Sequence, residues 1–140
     1  MKMNQEREAV IVKSFFEKRV QDRVLFELFT PKRRNQALNR LSHDYKRILR
    51  EKYMIEIPTP NSEPLLIFEL LQKYGAETNS YSLSYNDKID GKELPLMTAL
   101  EHAVGFGAPS IISCIPNRLA YFEAEQGYGA PSRYILKRPE

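Results

Sequence analysis

The sequence predicts a single α+β domain, in which a helical N-terminal half packs on a mixed, mainly antiparallel sheet of about four strands. Residues 4–29 are rich in helix-forming residues and contain neither proline nor glycine. Residues 105–132 place two strand-like segments between the near-identical hexapeptides Gly-Phe-Gly-Ala-Pro-Ser and Gly-Tyr-Gly-Ala-Pro-Ser. A length of 140 residues is that of one domain. The predicted order of elements is helix, helix, helix, strand, helix, strand, strand, strand.

The first element is a helix over residues 4–29, and its apolar positions do not form one clean stripe. Val12, Phe16, Val20 and Val24 make one row at helical spacing, while four further apolar residues fall off that row. Two alternatives remain open. Either one helix is covered on two sides, or the helix breaks near residues 21–22.

The second element is an amphipathic helix over residues 31–52. Thr30 and Pro31 are typical of a helix start, as N-cap and first helical residue. Apolar residues collect on one face of this segment and basic residues on the other. The segment has eight basic residues and two acidic ones, so it presents a strongly basic surface.

The C-terminal part begins with a connector over residues 55–64, which contains three prolines. A helix over 65–74 should end at Gly75, in the left-handed conformation typical of a helix C-terminus. Alternation of tyrosine and leucine with serine over 80–85 predicts a half-buried strand. A polar turn over 86–91 and a helix over 95–104 follow.

Residues 111–115 and 119–125 should form a β-hairpin around Pro116 and Asn117, since Pro sets φ for a turn and Asn tolerates the left-handed region. In the second strand Tyr121 and Glu123 should face one way and Phe122 the other. The two hexapeptides would then lie at one end of the sheet. Residues 133–137 give the last strand.

The two halves of the chain differ in charge. Residues 1–54 hold 14 Lys and Arg against 7 Asp and Glu, a balance of +7, while residues 55–140 have a balance of −4. Such asymmetry predicts either an acidic partner or attraction between the halves, within one chain or between copies.

Membrane association and cellular location are predicted from features that the sequence lacks. No apolar run approaches the roughly 20 residues of a membrane span, so no membrane contact is expected. Glu6, Arg7 and Glu8 stand where a secretory signal would begin its apolar segment. The single cysteine, Cys114, fits a reducing compartment. These features predict a cytoplasmic protein.

The candidate binding residues are the cations of the basic helix and two aromatic residues of the hexapeptides. Lysine and arginine projected from one helix face can contact phosphates or carboxylates, and exposed aromatic residues add contact area. The predicted partner-binding residues are Arg33, Arg40, Lys46, Arg47, Arg50, Phe106 and Tyr128.

Catalytic and metal sites are not predicted. Glu123 and Glu125 share a strand face with Tyr121 and could perform acid–base work, but such pairs are usually an exposed polar face. His43 and His102 could ligate a metal or a haem iron, yet neither has a partner at i+3 or i+4. We therefore expect no catalytic residue, metal ligand or cofactor.

Three short segments resemble other proteins. Asp-Gly-Lys-Glu-Leu at 90–94, Leu-Ala-Tyr-Phe-Glu at 119–123 and Arg-Tyr-Ile-Leu at 133–136 resemble small bacterial proteins of no assigned activity. The resemblance covers the C-terminal half and implies a compact α+β fold without assigning a functional residue.

The sequence thus favours a non-enzymatic binding or regulatory protein that docks an acidic protein, or a second copy of itself, through the basic helix. A nucleic-acid-binding protein using the same helix is the first alternative. A small enzyme or a metal- or haem-binding protein, with a pocket near Cys114, Tyr121, Glu123 and the histidines, is the second.

Overall fold

A central antiparallel sheet with helices on both faces organises the chain in the computed structural model, which describes residues 3–127 and 129–139. The helices are α1 (Gln5–Phe15), α2 (Lys18–Phe29), α3 (Arg34–His43), α4 (Tyr45–Ile48), α5 (Pro64–Lys73) and α6 (Leu96–Ala103), with short 3₁₀ turns at Pro31–Arg33 and Glu51–Tyr53. The strands are β1 (Met54–Glu56), β2 (Asn79–Ser84), β3 (Glu93–Pro95), β4 (Ser110–Ile115), β5 (Leu119–Glu123) and β6 (Arg133–Lys137). The predicted α+β class is confirmed.

The strand order within the described residues is β1-β6-β5-β4-β2-β3, and all neighbouring strands pair antiparallel. The prediction of about four strands was too low, because β1 and β3 have only three residues each and lie at the two edges. A mixed sheet would include parallel pairs, but among the described strands every pair is antiparallel, and the parallel contact between Ser82 and Asp90 is an isolated bridge. Helix α6 connects β3 to β4, but β2 lies between these two strands, so they are not neighbours.

Alternate residues of the strands contribute to two hydrophobic cores, one on each face of the sheet. Ile111, Phe122 and Leu136 join the core beneath the N-terminal helices α1 to α4. Ile112, Cys114, Leu119, Tyr121 and Ile135 join the core beneath α5 and α6. The predicted division of the β5 side chains between two faces is confirmed.

The hairpin and the helix ends of the C-terminal part follow the sequence closely. Asn117 has φ +70°, as expected for the turn between β4 and β5. Gly75 and Gly105, which follow α5 and α6, have φ +107° and +82°. Gly75 ends α5 because a left-handed residue does not continue a helix, whereas α6 already stops at the extended Val104, one residue before Gly105.

The N-terminal helices are shorter than the predicted segments, and the first segment is broken, as one of the two open alternatives held. The first is interrupted at Phe16 and Glu17, five residues before the expected break, and the second ends at Asp44 and again at Leu49. The cause is a long-range backbone pairing between Phe16 and Leu49. The Glu17 amide donates to the Ile48 carbonyl at 2.7 Å, and extended residues at both positions stop the helices.

No helix in the described ranges is long and apolar enough to cross a membrane.

Candidate anion-binding site

One end of the sheet gathers chain segments that are distant in sequence. The β5 residue Leu119 pairs with Lys137 at the end of β6, and Met54 at the start of β1 pairs with Leu136. The turn before β5, the segment after β6 and the residues preceding β1 therefore meet. The C-terminus of α5 joins them, because Gly75 lies against Ile115.

Two adjoining clefts lie at this end. The larger has a volume of about 570 Å³ and is lined by four cations, one aromatic ring and a mostly apolar floor: Lys73, Tyr74, Ile115, Arg118, Leu119, Lys137, Arg138 and Pro139. The smaller, about 410 Å³, is lined by Lys52, Tyr53, Lys137 and Pro139. Lys137 and Pro139 belong to both. Among the described residues no carboxylate lines either cleft. We call the five cations Lys52, Lys73, Arg118, Lys137 and Arg138, together with Tyr53 and Tyr74, the basic end.

Cations and tyrosine rings are interleaved in the basic end. The Lys137 ammonium lies 5.3 Å from the centre of the Tyr74 ring. The Lys52 ammonium and the Arg138 guanidinium lie 5.1 and 5.6 Å from the centre of the Tyr53 ring. These are cation–π distances, and they hold flexible cationic side chains against rings that the backbone fixes.

The cations around Tyr53 also act on its hydroxyl group. The pKa of the Tyr53 hydroxyl is lowered, first by the Arg138 guanidinium and then by the Lys52 ammonium. Positive neighbours stabilise a phenolate. The same positive neighbours would stabilise the negative charge of a bound anion.

The backbone fixes Arg138 in place. Its amide donates to the carbonyl of Arg118 at 2.9 Å, which extends the pairing of β5 and β6 by one bond. The Arg138 guanidinium donates to the Asn117 side chain, whose carbonyl also accepts from Ser14 at 3.0 Å. The guanidinium is therefore positioned without a carboxylate in these contacts.

The predicted basic helix does not present its cations as one surface. Arg40 donates two hydrogen bonds of 2.9 Å to the buried carboxylate of Glu27. The Arg50 guanidinium donates to the Phe16 carbonyl at 2.9 Å. Both side chains hold the N-terminal helices together.

The side chains of the other predicted cations are more exposed to solvent. Arg33 lies over the exposed ring of Phe26, at 5.7 Å from its centre. Lys46 and Arg47 are exposed on α4. These three are not lining residues of the basic end.

The two hexapeptides lie beside each other at the opposite end of β4 and β5. The Gln126 amide donates to the Gly107 carbonyl at 3.1 Å. Phe106 is 49% exposed on this rim. Tyr128 lies outside the described residues.

A buried charge cluster lies under this rim, where the sequence had indicated an exposed polar face. Glu123 is fully buried and accepts hydrogen bonds from Arg133 at 2.9 Å, from the Tyr121 hydroxyl at 2.6 Å and from the Gly105 amide at 2.9 Å. Arg133 also donates to Asn61 at 2.8 Å. Burial, together with the Glu123 charge, raises the pKa of Tyr121. The prediction of an exposed Glu123 was wrong because it did not include the partner on β6.

A second buried cluster joins the N-terminal helices to the sheet. Arg34 forms two hydrogen bonds with Glu8, at 2.8 and 2.7 Å, and two with Asp90, at 2.8 and 3.1 Å. The Tyr81 hydroxyl donates to Glu8 at 2.7 Å. Such satisfied ion pairs fix the relative placement of packed elements.

The cysteine and the potential metal ligands offer limited reactivity. Cys114 is buried, and burial raises the pKa of its thiol to about 12, so the thiolate is scarce near neutral pH. Across the described ranges no three His, Cys, Asp or Glu side chains are placed to hold a metal ion.

None of the five cations of the basic end was among the predicted partner-binding residues, although Lys52 lies in the predicted basic segment; Lys73, Arg118, Lys137 and Arg138 lie outside it. A usable signal was present, because an antiparallel hairpin followed by a third strand places Arg118 beside residues 137–138. The neighbouring Lys73 could not be found in this way, since nothing local fixes where the C-terminus of α5 packs.

Comparisons with protein-family models, with curated proteins and with solved structures gave no match.

Proposed function

We propose that the protein is a non-enzymatic binding protein that docks an anionic macromolecule at the basic end. One observation carries the proposal: three exposed lysines, Lys52, Lys73 and Lys137, line two adjoining clefts beside Tyr53 and Tyr74. Clefts lined by charge of one sign focus the electric field and raise the local concentration of counter-charged ligands.

The basic end supports docking better than the predicted helix face. Two of the helix cations, Arg40 and Arg50, are engaged with partners inside the N-terminal layer. In the basic end, Lys73 and Lys137 are the last residues of α5 and β6, and the other three cations lie in the turns and short segments next to the sheet. Groups on rigid elements lose less conformational entropy when they bind a partner.

The test compares polyanion binding by two charge-reversal variants. The first carries Lys52→Glu, Lys73→Glu and Lys137→Glu, three exposed lysines of the basic end. Binding of fluorescent polyglutamate and of mixed short DNA and RNA is measured by anisotropy at about 50 mM and about 200 mM salt. We expect binding that weakens with salt and is lost in this variant.

The matched control carries Lys32→Glu, Lys46→Glu and Arg47→Glu, which change three exposed cations of the predicted basic segment. Both variants have the same net charge, so a non-specific charge effect would weaken them equally. The proposal requires the control to bind as the unmodified protein does. Loss in the control alone would move the site to α3 and α4, and absence of binding to every polyanion would end the proposal.

A further inference from the structure

We propose that the anionic partner is a single-stranded nucleic acid, whose bases stack on Tyr53 and Tyr74 while its phosphates contact the surrounding cations. The inference rests on the proposed function, because it names the class of partner for the same site. Its basis is the alternation of rings and cations across the end of β6.

The path across the basic end runs from one ring to the other through a shared lysine. Lys52 and Tyr53 lie on the β1 side, Lys73 and Tyr74 on the α5 side, and Lys137 lines both clefts. Both rings are half-buried, so each keeps an accessible part. A single strand offers phosphates and unstacked bases in alternation, and proteins bind it with basic grooves and aromatic stacking platforms.

The shape of the site favours splayed bases. The larger cleft has an apolar floor formed by Ile115 and Leu119, and its volume of about 570 Å³ lies within the usual range of ligand pockets, about 300–1,000 Å³. A concave site with an apolar floor can receive a base that has left its stack. In a duplex the base faces are covered by their neighbours, so only the phosphates and the base edges would be available.

An acidic polypeptide matches fewer of these features. Its carboxylates would pair with the cations, but they have no flat apolar surface to place on the two rings. Stacking on tyrosine is available to every base and therefore carries little sequence preference. We accordingly expect binding that depends on strandedness more than on sequence.

The decisive probe pair is a labelled oligothymidylate of about 12 nucleotides and an abasic strand with the same number of phosphates. Both carry equal charge, and only the first has bases. We expect the oligothymidylate to bind more tightly than the abasic strand, than a duplex of equal length and than polyglutamate.

Two pairs of substitutions separate stacking from folding. Tyr53→Leu with Tyr74→Leu removes both rings and should weaken oligothymidylate binding by about 5-fold to about 150-fold per ring, without changing abasic binding. Tyr53→Phe with Tyr74→Phe keeps the rings and should bind as the unmodified protein does. Thermal unfolding of both variants shows that the fold is retained.

The outcomes distinguish the two proposals. If all polyanions bind through the basic end but the abasic strand equals the oligothymidylate, or duplex or polyglutamate is preferred, the single-strand inference is overturned and the proposed function stands. If no polyanion binds the unmodified protein, both fail. Preference for the oligothymidylate that disappears with leucine and persists with phenylalanine supports the inference.

Discussion

Replacing Arg133 by methionine is the perturbation that the structure predicts to be most damaging among the charged residues. Arg133 is 1% exposed, and its guanidinium contacts Glu123 at 2.9 Å and Asn61 at 2.8 Å. Methionine keeps an unbranched apolar chain in a similar place but removes the charge. The variant would leave the fully buried Glu123 carboxylate without its cation.

Breaking a buried ion pair by removing one partner costs about 3–5 kcal/mol. Two neutral donors, the Tyr121 hydroxyl and the Gly105 amide, remain on Glu123, so we expect a loss near the lower limit, about 3 kcal/mol. Total stabilities of single domains are about 5–15 kcal/mol. The loss is therefore a large fraction, equivalent to a fall of about 10 °C in Tm.

Urea unfolding followed by far-UV circular dichroism measures this loss, with Arg47→Met as the control because Arg47 is exposed. The control should change the free energy of unfolding by less than about 0.5 kcal/mol. Combining Arg133→Met with Glu123→Gln removes the unpaired charge and should recover part of the loss. Equal effects of Arg133→Met and Arg47→Met, or no recovery in the double variant, would refute the reasoning.

Two further predictions concern acid stability and a helix end. The pKa of Glu27 is lowered below its ordinary value of 4.5, chiefly by its hydrogen bonds from Arg40. The stability that this lowered pKa provides is present above about pH 4.5 and is lost as the pH falls through the lower folded-state pKa. The variant Glu27→Gln should therefore lose less free energy of unfolding than the unmodified protein does between pH 5 and pH 3. An unchanged loss would contradict the assignment. Gly105→Ala should cost about 1–2 kcal/mol in urea unfolding, because φ is +82° although space for a Cβ is open. Gly127→Ala, also with open space but without the left-handed φ, should be neutral; equal costs would exclude a backbone origin.

Elements specified by neighbouring residues could be predicted from the sequence. The turn at Pro116 and Asn117 and the end of α5 at Gly75 depend on backbone preferences that a few adjacent residues carry. The side-chain alternation of β5 likewise follows from the two-residue period of a strand. These features were therefore found with nearly correct bounds.

Elements specified by distant contacts could not be predicted from the sequence. Phe16 and Leu49 are compatible with helix by local preference, yet the backbone bridge between them stops a helix at both places. Short edge strands are similar, since three residues contain too little alternation to identify β1 or β3. A tertiary contact overrides a local preference when the two disagree.

The burial of charged residues was the other feature that could not be predicted from the sequence. Glu8, Glu123 and Arg133 look like surface residues in sequence, because an isolated charge is rarely buried. Each is buried with a partner of opposite sign that is distant in the chain or on another strand. Only the fold shows which charges are paired in the interior.

The charge balance of the two sequence halves indicated a different surface from that of the proposed site. The N-terminal half is the basic one, at +7, and the pairs of Arg34 with Glu8 and of Arg40 with Glu27 lie within its own layer without changing that balance. Four of the five cations of the basic end come from the half whose balance is −4. Antiparallel pairing brings these cations to one end of the sheet, so a local concentration of positive charge is set by where strands end and not by which segment carries the excess.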